Sequence, residues 1–277
     1  MKIGFRPPSD SKSFRTYINA LAEYYQSVEL PGSHASKLVR AARIARHIGF
    51  ELTFHARYVD LYPGSPVPAI RKASLKLLRE DLHIAAEIGA SLVVVHAGNI
   101  AWTDYPPRGL SPAHDALLQA ETKMRREYLE RARESLACLS RAASKLGVRL
   151  ALENLAAPQE VPRSPEEMAF FMEVPNLEFC LDLGHAKIAN CSTQDFLRFL
   201  KDKIGHLHVH TNDGRYDLHL PPSLGDLKEL ALDNAWSNSI ILIELLPMRG
   251  IEECLRAYKE VAIRIRELTN KTSEKEV

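Results

Sequence analysis

Nine imidazoles and carboxylates stand at, or just beyond, the ends of apolar strand-like segments in this 277-residue chain. The segments are FELTFH (His55), LVVVHAG (His96), VRLALEN (Glu153), LEFCLDLGH (Asp182 and His185), IGHLHVHTND (His210) and IILIELL (Glu244). The DLH run in the loop after His210 adds Asp217 and His219. Neutral imidazole and ionised carboxylate are the donors that Zn²⁺ and Mn²⁺ take. One buried histidine is ordinarily a hydrogen-bonded core residue. The signal here is repetition, because so many such groups recur at the same end of successive apolar runs.

Those runs imply a scaffold. Short apolar, β-branched stretches at 2–5, 27–30, 51–55, 91–96, 148–153, 177–181, 205–210 and 240–244 alternate with helical patterns near 12–25, 35–48, 69–88, 117–146, 165–172, 193–200, 224–234 and 250–268. In the long central helix Met124, Tyr128, Ala132, Leu136, Leu139, Ala143 and Leu146 recur at steps of three and four, one buried stripe. Gly49, Gly89 and Gly147 fall where a left-handed residue closes a helix, and Ser164-Pro165-Glu166-Glu167 reads as a helix start. Eight βα units predict an α/β chain folded as a single (β/α)₈ TIM barrel over residues 1–268, with a polar, disordered tail at 269–277. A doubly wound sheet is the alternative, and no GxGxxG follows an early strand to support it. In such a barrel the active site sits at the C-terminal ends of the strands, where the nine groups fall.

Composition sets the bounds. Apolar residues make up 45% of the chain and the net charge is +1, so the overall field neither demands nor forbids nucleic acid. Four cysteines without CxxC spacing suit a reducing compartment and argue against a disulfide framework. No run is long and apolar enough for a membrane span or a signal peptide, so a cytoplasmic enzyme is expected.

The segments HARY from His55, VVVHAG, ALEN, CLDLGHA, HTND, DLH and IEL resemble the xylose-isomerase-like TIM-barrel superfamily, which includes endonuclease IV and several sugar isomerases and epimerases. The resemblance covers nearly the whole chain. By likeness to endonuclease IV, up to three zinc ions are implied. One would take His55, His96 and Glu153; a second would share Glu153 and take Asp182, His210 and Glu244; a third would take His185, Asp217 and His219. The sugar isomerases and epimerases resemble the chain at the middle site alone, where Glu153, Asp182, His210 and Glu244 would hold one ion, Mn²⁺ included. The loops depart from the endonuclease: IGFRPPSDS, VELPGSHAS and ALENLAAPQ lack its DNA-gripping segments, and CLDLGH carries Leu-Gly where the endonuclease usually has Thr-Cys.

Two chemistries compete. Phosphoester hydrolysis, with abasic-site DNA as the implied substrate, uses closely spaced metals and employs all nine groups. Isomerisation or epimerisation of a sugar or sugar phosphate needs one ion and two acid/base carboxylates, Glu153 and Glu244, and leaves His55, His96, Asp217 and His219 without a task. Economy favours the hydrolase, with Glu153 and Glu244 catalytic in either case. Substrate contacts are expected from Arg57, Tyr58 and Arg215 at the rim, and from Trp102, Tyr105 and Arg108 in the long loop 99–116. Asp213 reads equally as a turn residue or as a partner of a ligating histidine. His206 and His208 share strand parity with His210 and are expected to be structural. Trp236 and Tyr258 are expected in the core, and His34, His47, His83 and His114 in solvent.

Overall fold

The computed structural model describes residues 1–8, 10–32, 35–100, 112–230, 239–246 and 250–273. Eight parallel strands close into a barrel in sequence order: β1 (Lys2–Phe5), β2 (Ser27–Pro31), β3 (Glu51–His55), β4 (Leu92–Val95), β5 (Arg149–Glu153), β6 (Leu177–Asp182), β7 (Ile204–Val209) and β8 (Ile240–Ile243). Parallel neighbours cannot be joined by tight hairpins, so helices make the crossovers. They are α1 (Ser11–Leu21), α2 (Ala35–Ile48), α3 (Pro68–Ile88), α4 (Pro112–Lys145), α5 (Pro165–Ala169), α6 (Leu183–Ile188), α7 (Thr193–Leu200), α8 (Leu224–Glu229) and α9 (Ile251–Ser273). This is the TIM barrel expected from the alternating pattern.

Local chemistry sets the helix ends. Asp10 caps α1 by accepting from Ser13 N, and Ser164 caps α5 by accepting from Glu167 N, with Pro165 in the first turn. Gly49, Gly89 and Gly147 all take positive φ (105°, 75° and 72°), as a left-handed helix exit requires. The main core fills the layer between barrel and helices: Tyr128, Ala132, Leu136, Leu139 and Ala143 of α4 pack there, while Met124 is exposed, so the stripe begins one turn later than its periodicity suggested.

Three expectations need correction. A helical turn, α6, starts directly after β6, because the Asp182 carboxylate accepts from His185 N at 2.7 Å and caps it. α1 ends at Leu21, not Tyr25, since Tyr25 leaves the helix to donate its hydroxyl to Tyr258 O at 2.6 Å. α9 runs on through Ser273, with the Thr269 hydroxyl bonded back to Ile265 O and Arg266 O, so residues 269–273 are helical and not a disordered tail. Residues 274–277 and Trp236 lie outside the described residues.

Tyr258 of α9 locks the barrel seam. It is fully buried, its hydroxyl donates to Arg6 O (2.9 Å) after β1, and it accepts from Leu245 N (3.1 Å) after β8. Side chains alternate in and out along each strand. On β7 that alternation sends Leu207 and Val209 to the helices and His206, His208 and His210 to the barrel axis, all three buried.

Candidate metal centre

The nine groups meet at the C-terminal mouth of the barrel in two flanks and a centre. On the β3–β5 flank, His55 Nε2 lies 3.1 Å and His96 Nε2 2.9 Å from Glu153 Oε2. On the β6–β8 flank, His185 Nε2 is 3.3 Å and His219 Nε2 3.0 Å from Asp217 Oδ2, and His210 Nε2 is 3.1 Å from the Asp182 carboxylate. His219 takes a left-handed backbone (φ 45°), which costs a non-glycine residue about 1–3 kcal/mol and turns its ring back over the site. There it stacks on His210 with centroids 3.9 Å apart.

Two rings approach the carboxylates: His210 meets Asp182, and His208 stands among all three. Its Nδ1 is 3.0 Å from Glu153, 3.3 Å from Glu244 and 3.7 Å from Asp182. His210 instead groups with His185, Asp217 and His219. The reason is register: His208 pairs across from Asp182, one step deeper than His210, and reaches upward. His208 is buried and bonded to Glu153 and Glu29, the structural histidine expected from the HLHVH alternation, and it also borders the centre.

The donors fit divalent metal. His55 Nδ1–H faces Ala56 O at 2.9 Å and His185 Nδ1–H faces Asn154 O at 2.9 Å. A backbone carbonyl on Nδ1 fixes the tautomer that leaves Nε2 with its lone pair. Both Nε2 atoms then confront carboxylate oxygens, and two acceptors at that range require a cation or a proton between them. Among the described residues the buried Nδ1 atoms of His210 and His219 make no hydrogen bond.

Charge pairing keeps the carboxylates ionised. Burial pushes Glu153 up, but His208, His96 and the other rings outweigh it and hold it well below the usual range. Burial likewise opposes Glu244, and Arg6, with His208 and His219, brings it below its ordinary value. Burial lowers His185, yet Asp182, Asp217 and Glu153 raise it well above 6.5. For His96 burial wins over Glu153, and its pKa falls.

Supporting residues come from the motifs around the ligands. Asn154 of ALEN donates to Asp182 O (2.9 Å) and accepts from Asp182 N (2.7 Å), stitching β5 to β6. Asn212 of HTND donates to Gly184 O at 2.8 Å. Gly184 leaves room for a ring: a Cβ there would lie 1.9 Å from His210 Cε1. Sequence reasoning missed Arg6, which pairs with Glu244, and Glu29, which lies fully buried beneath the site. Their partners stand far away in the chain, and no local spacing announces them.

The rim residues divide. Tyr58 is 48% exposed and lies over the flank, its ring 5.5 Å from His55 and 4.7 Å from His96. Arg57 is turned onto α3, donating to Asp81 (2.9 Å) and Leu77 O (3.1 Å), which removes it from the expected phosphate contacts. Arg215 is exposed in the loop after β7. Asp213 proves to be a turn residue, its carboxylate accepting from Arg215 N and Tyr216 N. Trp102, Tyr105 and Arg108 lie outside the described residues. A cleft of about 480 Å³ opens beside His210, lined by Lys187, Thr193 and Thr211 among others. Among the described residues no helix is long and apolar enough to cross a membrane.

A parallel barrel with this mouth defines a class, and the sequence agrees. The xylose isomerase-like TIM barrel family matches residues 18–257, and the chain belongs to that family. Among curated proteins it is similar to the uncharacterized protein MJ1614 of Methanocaldococcus jannaschii, 26% identical over 223 residues that cover 79% of this chain and 80% of that one. Among solved structures, a D-tagatose 3-epimerase-like protein superposes with a TM-score of 0.72 at 23% identity, covering 96% of this chain and 99% of its own, a likeness of fold. The TTHB071 protein from Thermus thermophilus, solved after soaking with ZnCl₂, gives 0.66 at 25% identity, with 95% and 98% covered.

Proposed function

We propose that this chain is a divalent-metal isomerase or epimerase of a small sugar or sugar phosphate. The observation that carries this reading is the approach of Glu153 from β5 and Glu244 from β8 to one point, the Nδ1 of His208, at 3.0 and 3.3 Å. Shifting hydrogen beside a carbonyl, or inverting a carbon there, needs one group to take a proton and another to return it. A divalent ion, zinc or manganese, held by Glu153, Asp182, His210 and Glu244 would polarise that carbonyl. Arg6 keeps Glu244 ionised and aimed, while His55, His96 and His208 do the same for Glu153. The cleft beside His210 suits a small polar substrate, and Lys187, 3.2 Å from the Thr211 hydroxyl, stands where an anionic substituent could be met.

The epimerase-like structural neighbour supports this reading over abasic-site DNA incision, which the ligand count alone favoured. Arg57, expected to contact phosphate, is committed to α3. A second reading, metal-assisted hydrolysis of a small phosphoester, keeps one specific support: the pairing of His55 with Glu153 and of His185 with Asp217 lies outside anything isomerisation uses.

Solvent-deuterium exchange separates them without knowledge of the product. The metal-loaded protein is incubated in D₂O with a panel of ketoses and ketose phosphates, and the carbon next to the carbonyl is followed by NMR. Exchange that is lost in Glu244→Gln but survives His219→Ala is expected. No exchange across the panel, together with cleavage of phosphomonoesters or of an abasic-site duplex, would overturn the proposal in favour of the hydrolase.

A further inference from the structure

Below the mouth, the interior of this barrel departs from its fold. Layers of branched aliphatic side chains ordinarily fill it. Here β2, β6 and β7 place Glu29, Cys180, His206 and His208 inside, all at 0% exposure. Cys180, His206 and His208 present donor atoms that lie within 4.8 Å of one another. The Glu29 carboxylate lies beside this trio, 3.1 Å from His206 Nε2 and 3.4 Å from His208 Nε2.

Two atoms of this cluster are unaccounted for. Among the described residues, Glu29 Oε1 and His206 Nδ1 are buried and make no hydrogen bond, although Oε1 lies 3.4 Å from His208 Nε2. Buried polar atoms are nearly always satisfied, and an orphan asks for an explanation such as an ion. The donor set is one carboxylate, one thiol and two imidazoles. Sulfur and nitrogen donors select zinc and its softer neighbours, and four such donors make a closed tetrahedral site.

We infer that Glu29, Cys180, His206 and His208 form a separate metal site for zinc or a similar thiophilic divalent ion in the barrel interior, distinct from the centre at the mouth. One divalent cation balances the Glu29 carboxylate and the Cys180 thiolate, so the buried charges sum to zero; the thiol proton is released on binding. No donor atom is shared with the upper centre. His208 would give Nε2 downward, while its Nδ1 faces Glu153 at 3.0 Å. An imidazole held between a metal and a carboxylate is the arrangement that fixes a ligating histidine. Glu153 would then serve the lower site as an outer partner. The inference holds whichever reaction the mouth performs.

Sulfur makes the test selective, because the nine groups at the mouth are all nitrogen and oxygen donors. The full-length protein is stripped with a chelator and titrated with Co²⁺ while the near-ultraviolet thiolate-to-cobalt band is recorded. The band is expected in the wild type. It should vanish in Cys180→Ser and in His206→Ala, each also binding one equivalent of cobalt fewer, and persist in Cys254→Ala and His55→Ala. Absence of the band from the wild type, or its persistence in Cys180→Ser, overturns the site. The wild-type spectrum can sink the proposal alone, so the result does not hang on one variant folding.

Discussion

The two flanks of the candidate metal centre gather the same kinds of donor on different supports. His55, His96 and Glu153 lie at the ends of three adjacent strands, and the side chains of His55 and Glu153 are only 4% and 2% exposed. Opposite them, the Asp217 side chain is 37% exposed and stands with His219 on the loop after β7. The first flank is held by the barrel strands themselves. The second is held by a capped turn, a stacked ring pair and one left-handed residue. Differences in metal occupancy should therefore appear on the β6–β8 side first.

The largest expected effect falls on the residue that belongs to the first flank and the centre together. Glu153→Gln keeps the shape but removes the charge facing His55, His96 and His208, and should lower turnover by about 10²-fold or more. Wild-type turnover in this variant would remove Glu153 from the chemistry.

Next comes a change confined to the weaker flank. Gly184→Ala drives a Cβ into the His210 ring, and metal affinity on that side should fall about 10- to 100-fold, the usual consequence of misorienting a ligand. Metal titration of Gly184→Ala beside His96→Ala measures the contrast. Equal losses at every bound ion would show that the flanks are one rigid unit.

The flanks should also answer pH with opposite slopes in the metal-free protein. His185 and His219 are raised above 6.5 by their carboxylate partners, after burial is overcome. Their contribution to stability is fully present below 6.5 and is lost as pH rises through the raised values. Asp217 is held well below 3.8 against burial by His185 and His219, so its share is present above 3.8 and disappears only in strong acid. His96 is lowered by burial, so its share is present above 6.5 and is lost as pH falls through the lowered value. Thermal melts of the chelated protein from about pH 5 to 9 should show His219→Ala flattening the alkaline loss and His96→Ala flattening the acid one. Unchanged slopes in both variants would refute the assignment.

The smallest effect is expected at Asp213. Its carboxylate bonds only the backbone of its own exposed turn, so Asp213→Ala should shift stability by about 0.5 kcal/mol and activity by well under tenfold. A loss of metal binding in this variant would give Asp213 the supporting role that its turn geometry denies.

Much of this was legible in the sequence. Strand–helix alternation located all eight strands to within a residue or two, because buried parallel strands write themselves as short apolar runs. Most of the candidate ligands could be read because they stand at the end of such a run. Three kinds of feature could not. α6 is nucleated by Asp182, a residue already assigned to another role. That His208 reaches the carboxylates from below His210 depends on the register of β7 against β6. Glu29 meets His206 across 177 positions of sequence, and no window spans that distance. Arg57, expected as a phosphate contact at the rim, has its guanidinium on Asp81 of α3, a partner 24 positions away that no local pattern announces.

The seam at Tyr258 fixes when the enzyme can come into being. The groups that complete the mouth, Arg6 and Glu244, stand 238 positions apart, and the hydroxyl that ties their strands together arrives only with α9. While the chain is being made, His55, His96, Glu153, Asp182 and His185 all emerge before the strand that closes the ring. A growing polypeptide thus carries most of these candidate donor side chains before the ring can close. Glu244 and the clasp at Tyr258 follow them in the chain, so a fragment lacking β8 and α9 should bind zinc differently from the closed barrel.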